Sequence, residues 1–412
     1  MKRLSVPARE NWQSLVEGRG FDFHTPVNAD TALAEKYWEE HAAYCLSEED
    51  VNALYDAAES LNDLCYEAVG RVLADVALMD RFRIPVTWRE TIIKSWESGE
   101  KNLYGRMDFT RHDGHFKLME FNADTPTTLY EAAVAQWDRL EALEATGALS
   151  KADQFNSLHE DLIKAFSDPR RDLFDKRVYF SCAKDTPEDL GTTEYLQDLA
   201  EQAGLMTGFV FVEDIGLSEC GRYLTDLDDR VIDVLFKLYP WEMIAEDAFG
   251  DAIPNIECTF IEPLWKMVLS NKALLPLLWD MAPEHPNLLP AFFDDDPAAA
   301  TLFSYVRKPI FGREGANVSI VTPDQRLDQT GPYGAEGFVR QAYAPLPSFS
   351  SEDGAPVHTM VGVWLIGGVN DDPEEPERRG SDKPSGLTIR EDDGPVTTDD
   401  ARFVPHYFLP DQ

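Results

Sequence analysis

The chain has 412 residues, 43% of them hydrophobic, with 9 Trp and 23 Phe, a composition that excludes a disordered protein and calls for a packed core. A formal charge of -38 argues against nucleic acid or an anionic membrane surface as the main partner. There is no run near the roughly 20 apolar residues of a membrane helix, no secretory h-region follows the first Met, and the five Cys form no CxxC pair, so a reduced cytoplasm is the expected setting.

At about 150 residues per domain, two or three domains are expected. Residues 1–100 read as a mainly helical region. Both "TALAEKYWEEHAAYCLS" (31–47) and "EEDVNALYDAAESLNDLCYEAVGRVLADVAL" (48–78) repeat apolar residues at three- and four-residue steps. Ser47 with Asp50 three residues later spells an N-cap for the second.

Residues 103–123 then switch to alternation, "LYGRMDF", a turn, and "HFKLMEFNA", which predicts a β-hairpin. Arg106 and Asp108 share one strand face, and Glu120 and Asn122 share one face of the other. The turn decides whether these faces coincide. A two-residue Asp113-Gly114 turn pairs Arg111 with Phe116 and sends the acids to opposite faces. A three-residue His112-Asp113-Gly114 loop pairs Arg111 with His115 and gathers all four on one face, and this is the expected form. Two carboxylates and an amide on one face suit an oxygen-ligated cation such as Mg²⁺. The alternative is a surface hairpin in an acidic protein, although the apolar alternates Met107, Phe109, Met119 and Phe121 point to a buried face. After the hairpin, "TTLYEAAVAQWDRLEAL" is helical again.

Further on, "KRVYFSC", "DLGTTEYLQDLAEQAG" and "MTGFVFVEDI" spell a βαβ unit of a small doubly wound sheet. It lacks GxGxxG, so no nicotinamide site is expected there. Lys266 lies in an apolar stretch and reads either as a ligand-binding cation or as a snorkelling lysine. "RKPIFGREGANV" (307–318) reads as strand, glycine loop, strand: Gly312 and Gly315 bracket Arg313-Glu314 after Lys308, as a phosphate-covering loop or a plain hairpin turn. Gln341 in "VRQAYAPLP" could read a base edge, and Arg390 stands beside an acidic run. "GGVNDDPEEPERRGSDKPSG" (367–386) reads as an exposed loop. No HxH, HExxH or GxSxG pattern is present.

Taken in order, "YGRMDF", "EFNADTPT", "EPLWKMVLSNKALLP", "VRKPIFGREGANV", "GVWLIGG" and "IREDDGPVT" resemble the synthetase domain of the glutathionylspermidine synthase and trypanothione synthetase family, above all its stand-alone members without an amidase. The resemblance implies an α+β / α/β protein: an ATP-grasp fold with a preceding small doubly wound α/β domain and a helical N-terminal region. It divides the chain into the helical region 1–100, the hairpin and helices 101–175, the small α/β domain 176–255, and the nucleotide-binding lobes 256–412 with a flap at 312–317. It further implies an ATP-dependent ligase that joins a carboxylate substrate, a peptide or a glutathione-like acid, to an amine such as a polyamine through an acyl phosphate. Small-molecule phosphorylation and a non-catalytic nucleotide-binding role are the alternatives.

By resemblance, Arg106 stabilises the transition state and Asp108, Glu120 and Asn122 hold two Mg²⁺. Lys266 and Lys308 meet ATP together with Met107 and Gly312, Arg313, Glu314 and Gly315 of the flap. Gln341, Ala342 and Tyr343 form the adenine hinge, and Arg390 lies near the acyl substrate. The chain departs from the family in reading "TPTT" where its bifunctional members are serine-rich, and in its acidic insert at 370–383. The family's amidase is expected to be absent.

Overall fold

The computed structural model describes residues 1–26, 36–369 and 382–409 and is an α+β structure of several sheets. In chain order, β1 (Lys2–Ser5) and β2 (Ala42–Leu46) pair antiparallel. The helix Glu48–Leu73 follows, closed at its start by the reciprocal Ser47–Asp50 capping box that the sequence spells. The helical periodicity expected over 31–47 fails at its end: residues 42–46 form a strand, and residues 27–35 lie outside the described part. Ala42, Ala43, Tyr44 and Leu46 are all buried, because β2 is the middle strand between β1 and β21 (His406–Phe408). Burial on both faces removes the alternation that would have identified it.

The hairpin β3 (Tyr104–His112) and β4 (His115–Asn122) belongs to a six-stranded antiparallel sheet. Its neighbours are β18 (Pro356–Ile366), which pairs with β3, then β19 (Lys383–Asp392) and β20 (Arg402–Phe403), while β17 (Ser348–Ser350) pairs with β18. Part of the loop expected at 367–386 is therefore strand from Lys383 on, and 370–381 lie outside the described residues. The polar Ser385 can be buried there because its hydroxyl donates to Asp161 Oδ2 at 2.8 Å.

The expected βαβ unit is present. β5 (Arg177–Cys182), the helix Pro187–Gln202 and β6 (Met206–Phe209) join β10 (Val234–Leu238) and β11 (Thr259–Ile261) in a parallel sheet of order β11-β10-β5-β6. A third sheet is antiparallel, with β13 (Tyr305–Pro309) between β14 (Ser319–Val321) and β16 (Phe338–Ala342). It packs against the free edge of β4. The two largest hydrophobic clusters among the described residues fill the interior. One lies between the long N-terminal helix and the faces of β3, β4 and β18; the other lies around the parallel sheet. Among the described residues no helix is long and apolar enough to cross a membrane.

Candidate active site

The β3–β4 turn has two residues, not three. His112 pairs with His115, and Asp113 and Gly114 both take positive φ, 51° and 81°. The odd residue sits instead in the strand: pairing runs Phe109–Leu118 and then Asp108–Glu120, so Met119 is a β-bulge. Arg106, Asp108, Glu120 and Asn122 thus reach one face by a different route from the expected loop. The bulge also has a use. Met119 O accepts from Lys308 Nζ at 2.8 Å, and Leu118 O accepts from Gln341 Nε2 at 2.8 Å, which docks β4 on the third sheet.

On the polar face the acids are held by cations. Asp108 accepts from Arg106 Nε at 2.8 Å and Nη2 at 3.1 Å, and from Arg390 Nη2 at 2.5 Å. Gly362, paired with Asp108 across β18, makes room for this cluster: a Cβ there would lie 2.7 Å from Arg106 Cδ and 2.8 Å from Asp108 Oδ1. Arg106 Nη1 also donates to Thr127 O at 2.6 Å and Thr128 Oγ1 at 3.2 Å. Thr128 has φ 70°, a strained value for a β-branched residue.

Glu120 faces Lys272 Nζ at 2.9 Å. Burial by itself would raise the Glu120 carboxyl, but Lys272 and then Lys308 outweigh it and hold the group well below the usual carboxylate range. Burial pushes the Lys308 ammonium down to about 8 despite the pull of Glu120. Asn122 is folded back on the next turn, its Oδ1 accepting from Thr125 N at 3.3 Å.

Lys272, which lines both hollows, was not singled out in the sequence. Lys266, expected to meet ATP, is fully buried in the core, where it donates to Tyr104 O at 2.9 Å and lies 3.4 Å from Glu262 Oε2. Both lysines stand in the same "WKMVLSNK" stretch. Asn271 decides between them: it donates to Phe82 O at 2.7 Å and accepts from Ala273 N at 2.9 Å, a turn that leaves Lys272 on the cavity wall. Gln341 is likewise a brace and not a wall residue, its Oε1 accepting from Lys308 Nζ at 2.8 Å. Met107 is buried in the core on the far side of β3 from Asp108, and Ala342 N–H is taken by Pro290 O at 2.7 Å.

Two adjoining hollows meet at Glu120, Lys272 and Gly312. One is an apolar slot between the third sheet and β4, walled by Val306, Val318, Ile320, Tyr343, Ala344 and Met360. The other is polar and gathers Arg106, Lys272, Arg313 and Arg390. Such a concentration of cations is conspicuous in a chain of formal charge -38. The glycine loop crosses the junction. Gly315 has φ 69°, and a Cβ on it would lie 2.7 Å from Thr397 O, so only glycine fits. Arg313 Nη2 donates to Glu242 Oε1 at 2.6 Å and Nη1 to Thr125 Oγ1 at 2.9 Å, tying the loop to the parallel-sheet part of the molecule.

Beside Arg106 lies another group that the sequence did not single out: Tyr37, Glu131, Glu188 and Asp189, with Glu314 and Asp399 at an exposed rim. Burial, then Glu131, pushes the Glu188 carboxyl up to about 8, and burial, then Glu314, pushes Asp189 up to about 6. Glu188 and Asp189 read as an ordinary acidic helix start in sequence, and only folding brings Glu131 to them.

Slot, cationic hollow and glycine loop lie side by side in one crevice, and comparison with known proteins gives the class. The chain belongs to the glutathionylspermidine synthase family: the family profile "Glutathionylspermidine synthase preATP-grasp" matches residues 3–409. In class it is an acid–amine ligase of the glutathionylspermidine synthase type. It is 35% identical, over 100% of both chains, to a Haemophilus influenzae protein carrying a provisional acid–amine ligase assignment. A trypanothione synthetase of Crithidia fasciculata is 28% identical over 84% of this chain and 53% of its own. The bifunctional glutathionylspermidine synthetase/amidase of Escherichia coli is 27% identical over 79% of this chain and 55% of its own. In fold, the chain is similar to a glutathione synthetase-like effector of Globodera pallida, with TM-score 0.57, 9% identity and 92% coverage of each chain.

Proposed function

We propose that this protein uses ATP to join a carboxylate to a cationic amine through an acyl phosphate, the adenine lying in the apolar slot and the phosphates in the cationic hollow. The observation that carries this reading is the junction of the two hollows at Glu120, Lys272 and Gly312, with the acidic wall on the far side of Arg106. Lys272 and Lys308 serve as the cations that meet the phosphates at that junction. The substrate carboxylate attacks the γ-phosphorus in line, the bond to ADP breaks, and Arg106 and Arg390 offset the charge on the transferring group. The amine then attacks the acyl carbon and phosphate leaves. The Gly312–Gly315 loop, latched through Arg313, keeps water from the intermediate. The acidic wall suits a polyamine-like acceptor, and the relative named for glutathionylspermidine makes a peptide acid the matching donor.

The oxygen donors Glu120 and Asn122 fit Mg²⁺, which takes phosphate and water for the rest of its shell. Among the described residues no three His, Cys, Asp or Glu side chains cluster as a metal cage, and both Asp108 oxygens are occupied by arginines. Glu120, with one oxygen on Lys272, would be the first ligand, and Asn122 and Asp108 would join it by releasing Thr125 N–H and an arginine. Bound there, the ion would supply charge neutralisation at the phosphates.

The test is ADP release that depends on both ATP and a carboxylate, with hydroxylamine trapping the intermediate as a hydroxamate. Phosphorylated product without hydroxamate would favour a kinase. ATP binding without ADP formation across a panel of acids and amines would favour a non-catalytic role.

A further inference from the structure

Glu131 occupies an unusual position. It opens a π-helical segment, Glu131–Ala135, at the start of the helix that begins beside Arg106, and its side chain is fully buried. Such segments concentrate at functional sites. The sequence Thr128-Leu129-Tyr130-Glu131 has the form of a capping box, which would spend the carboxylate on the helix's own backbone. In the structure its side-chain partner is Tyr37. Oε1 accepts from the Tyr37 hydroxyl, and Oε2 is a buried oxygen with no hydrogen-bond partner among the described residues. A buried, unpaired carboxylate oxygen is costly to keep and calls for a partner that arrives with a ligand. The charged groups that act on it are Arg106 of β3 and, from the helix Pro187–Gln202, Glu188, with the Tyr37 hydroxyl on its remaining side. Glu131 thus has Arg106, which lines the cationic hollow, and Glu188 as its charged neighbours.

We propose that Glu131 is the proton acceptor that converts the incoming ammonium into the amine nucleophile, a role that rests on the ligase reading above. An alkylammonium cannot attack a carbonyl until it loses a proton. One N–H proton passes to Glu131 Oε2, the nitrogen lone pair forms the C–N bond, and the C–O bond to phosphate breaks. The second N–H proton leaves with the phosphate as hydrogen phosphate, and Glu131 returns its own to solvent on product release. The carboxyl is already suited to this exchange, since burial, only partly opposed by the Tyr37 hydroxyl, its own backbone N–H and Arg106, pushes it up to about 7.

The discriminating acceptor is hydroxylamine, which is uncharged at neutral pH and needs no base. With glutathione as the acid, Glu131→Gln, an isosteric change that keeps a partner for Tyr37, is expected to form hydroxamate at the wild-type rate. Amide formation with spermidine at pH 7 should fall about 10²- to 10⁴-fold and recover as pH rises. Equal losses with both acceptors, or no loss with either, would overturn the proposal. If the wild-type protein yields neither ADP nor hydroxamate with any acid, the ligase reading itself fails. Independently of substrate, infrared difference spectra of the full chain should show a carboxylic acid that titrates near neutrality and is missing in Glu131→Gln. No such Glu131-dependent band would also overturn the proposal.

Discussion

Replacing Gly362 with Ala is the sharpest test of the site's packing. In an ordinary strand this change would remove the entropic handicap of glycine and stabilise by about 0.5–1 kcal/mol. Here the added Cβ would sit 2.7 Å from Arg106 Cδ and 2.8 Å from Asp108 Oδ1, both belonging to the buried ion pair. Ordinary carbon contacts begin near ~3.5 Å, so the arginine or the strand must yield by roughly 0.8 Å. Overpacking of this kind costs about 1–3 kcal/mol, leaving a net loss of up to about 2 kcal/mol. The functional cost is expected to be larger. A displacement near 1 Å of a positioned group lowers turnover by about 10²-fold, whereas the apolar slot lies on the other side of the bulge and should keep its affinity for ATP. Urea denaturation, ATP binding by calorimetry and carboxylate-dependent ADP release separate the three effects. A Gly362→Ala protein with wild-type turnover would refute the reasoning, as would one that loses ATP binding in step with activity.

Lys272→Met is expected to raise the KM for ATP by about tenfold or more while leaving the fold intact. Lys266→Met should instead cost about 3–5 kcal/mol of stability, because it strands the buried Glu262 carboxylate; thermal denaturation beside ATP titration tells them apart. Glu131 titrates near 7 in the folded chain and about 4.5 when unfolded, so between those values the folded state binds more protons and this group's contribution to stability declines as pH rises. Glu131→Gln should therefore be more stable than wild type at pH 8, by an amount on the order of 3 kcal/mol, and a variant no more stable there would show that the carboxyl titrates normally. Glu242→Gln loosens the Arg313 latch and should speed tryptic cleavage after Arg313 and raise the ratio of ADP to amide; unchanged cleavage would mean that Thr125 alone holds the loop.

Much of the fold followed from local pattern. The capping box at Ser47, the long helix behind it, the hairpin at 104–122 and the βαβ unit each satisfy their rules within a few residues, so periodicity and capping residues suffice to place them. The strands at 42–46 and 383–386 were not legible. Residues 42–44 and 46 are buried with no alternation to mark them, and 383–386 read as a polar stretch until Asp161 arrives to satisfy Ser385.

The candidate site divides along the same line. Residue type and spacing determined that Arg106, Asp108, Glu120 and Asn122 stand on a hairpin, that Lys308 precedes a glycine loop, and that the charge of the chain makes each such cation informative. Only the tertiary structure decided that the odd residue is a bulge at Met119 and not a third turn residue, because Lys308 and Gln341 of another sheet reward the carbonyls that the bulge exposes. It alone put Lys272 on the cavity wall and Lys266 in the core, and brought Glu131 to Glu188. Those outcomes depend on which partner reaches a polar group buried by residues far away in the chain, and a hydrogen bond or charge of that kind leaves no period in the sequence around it.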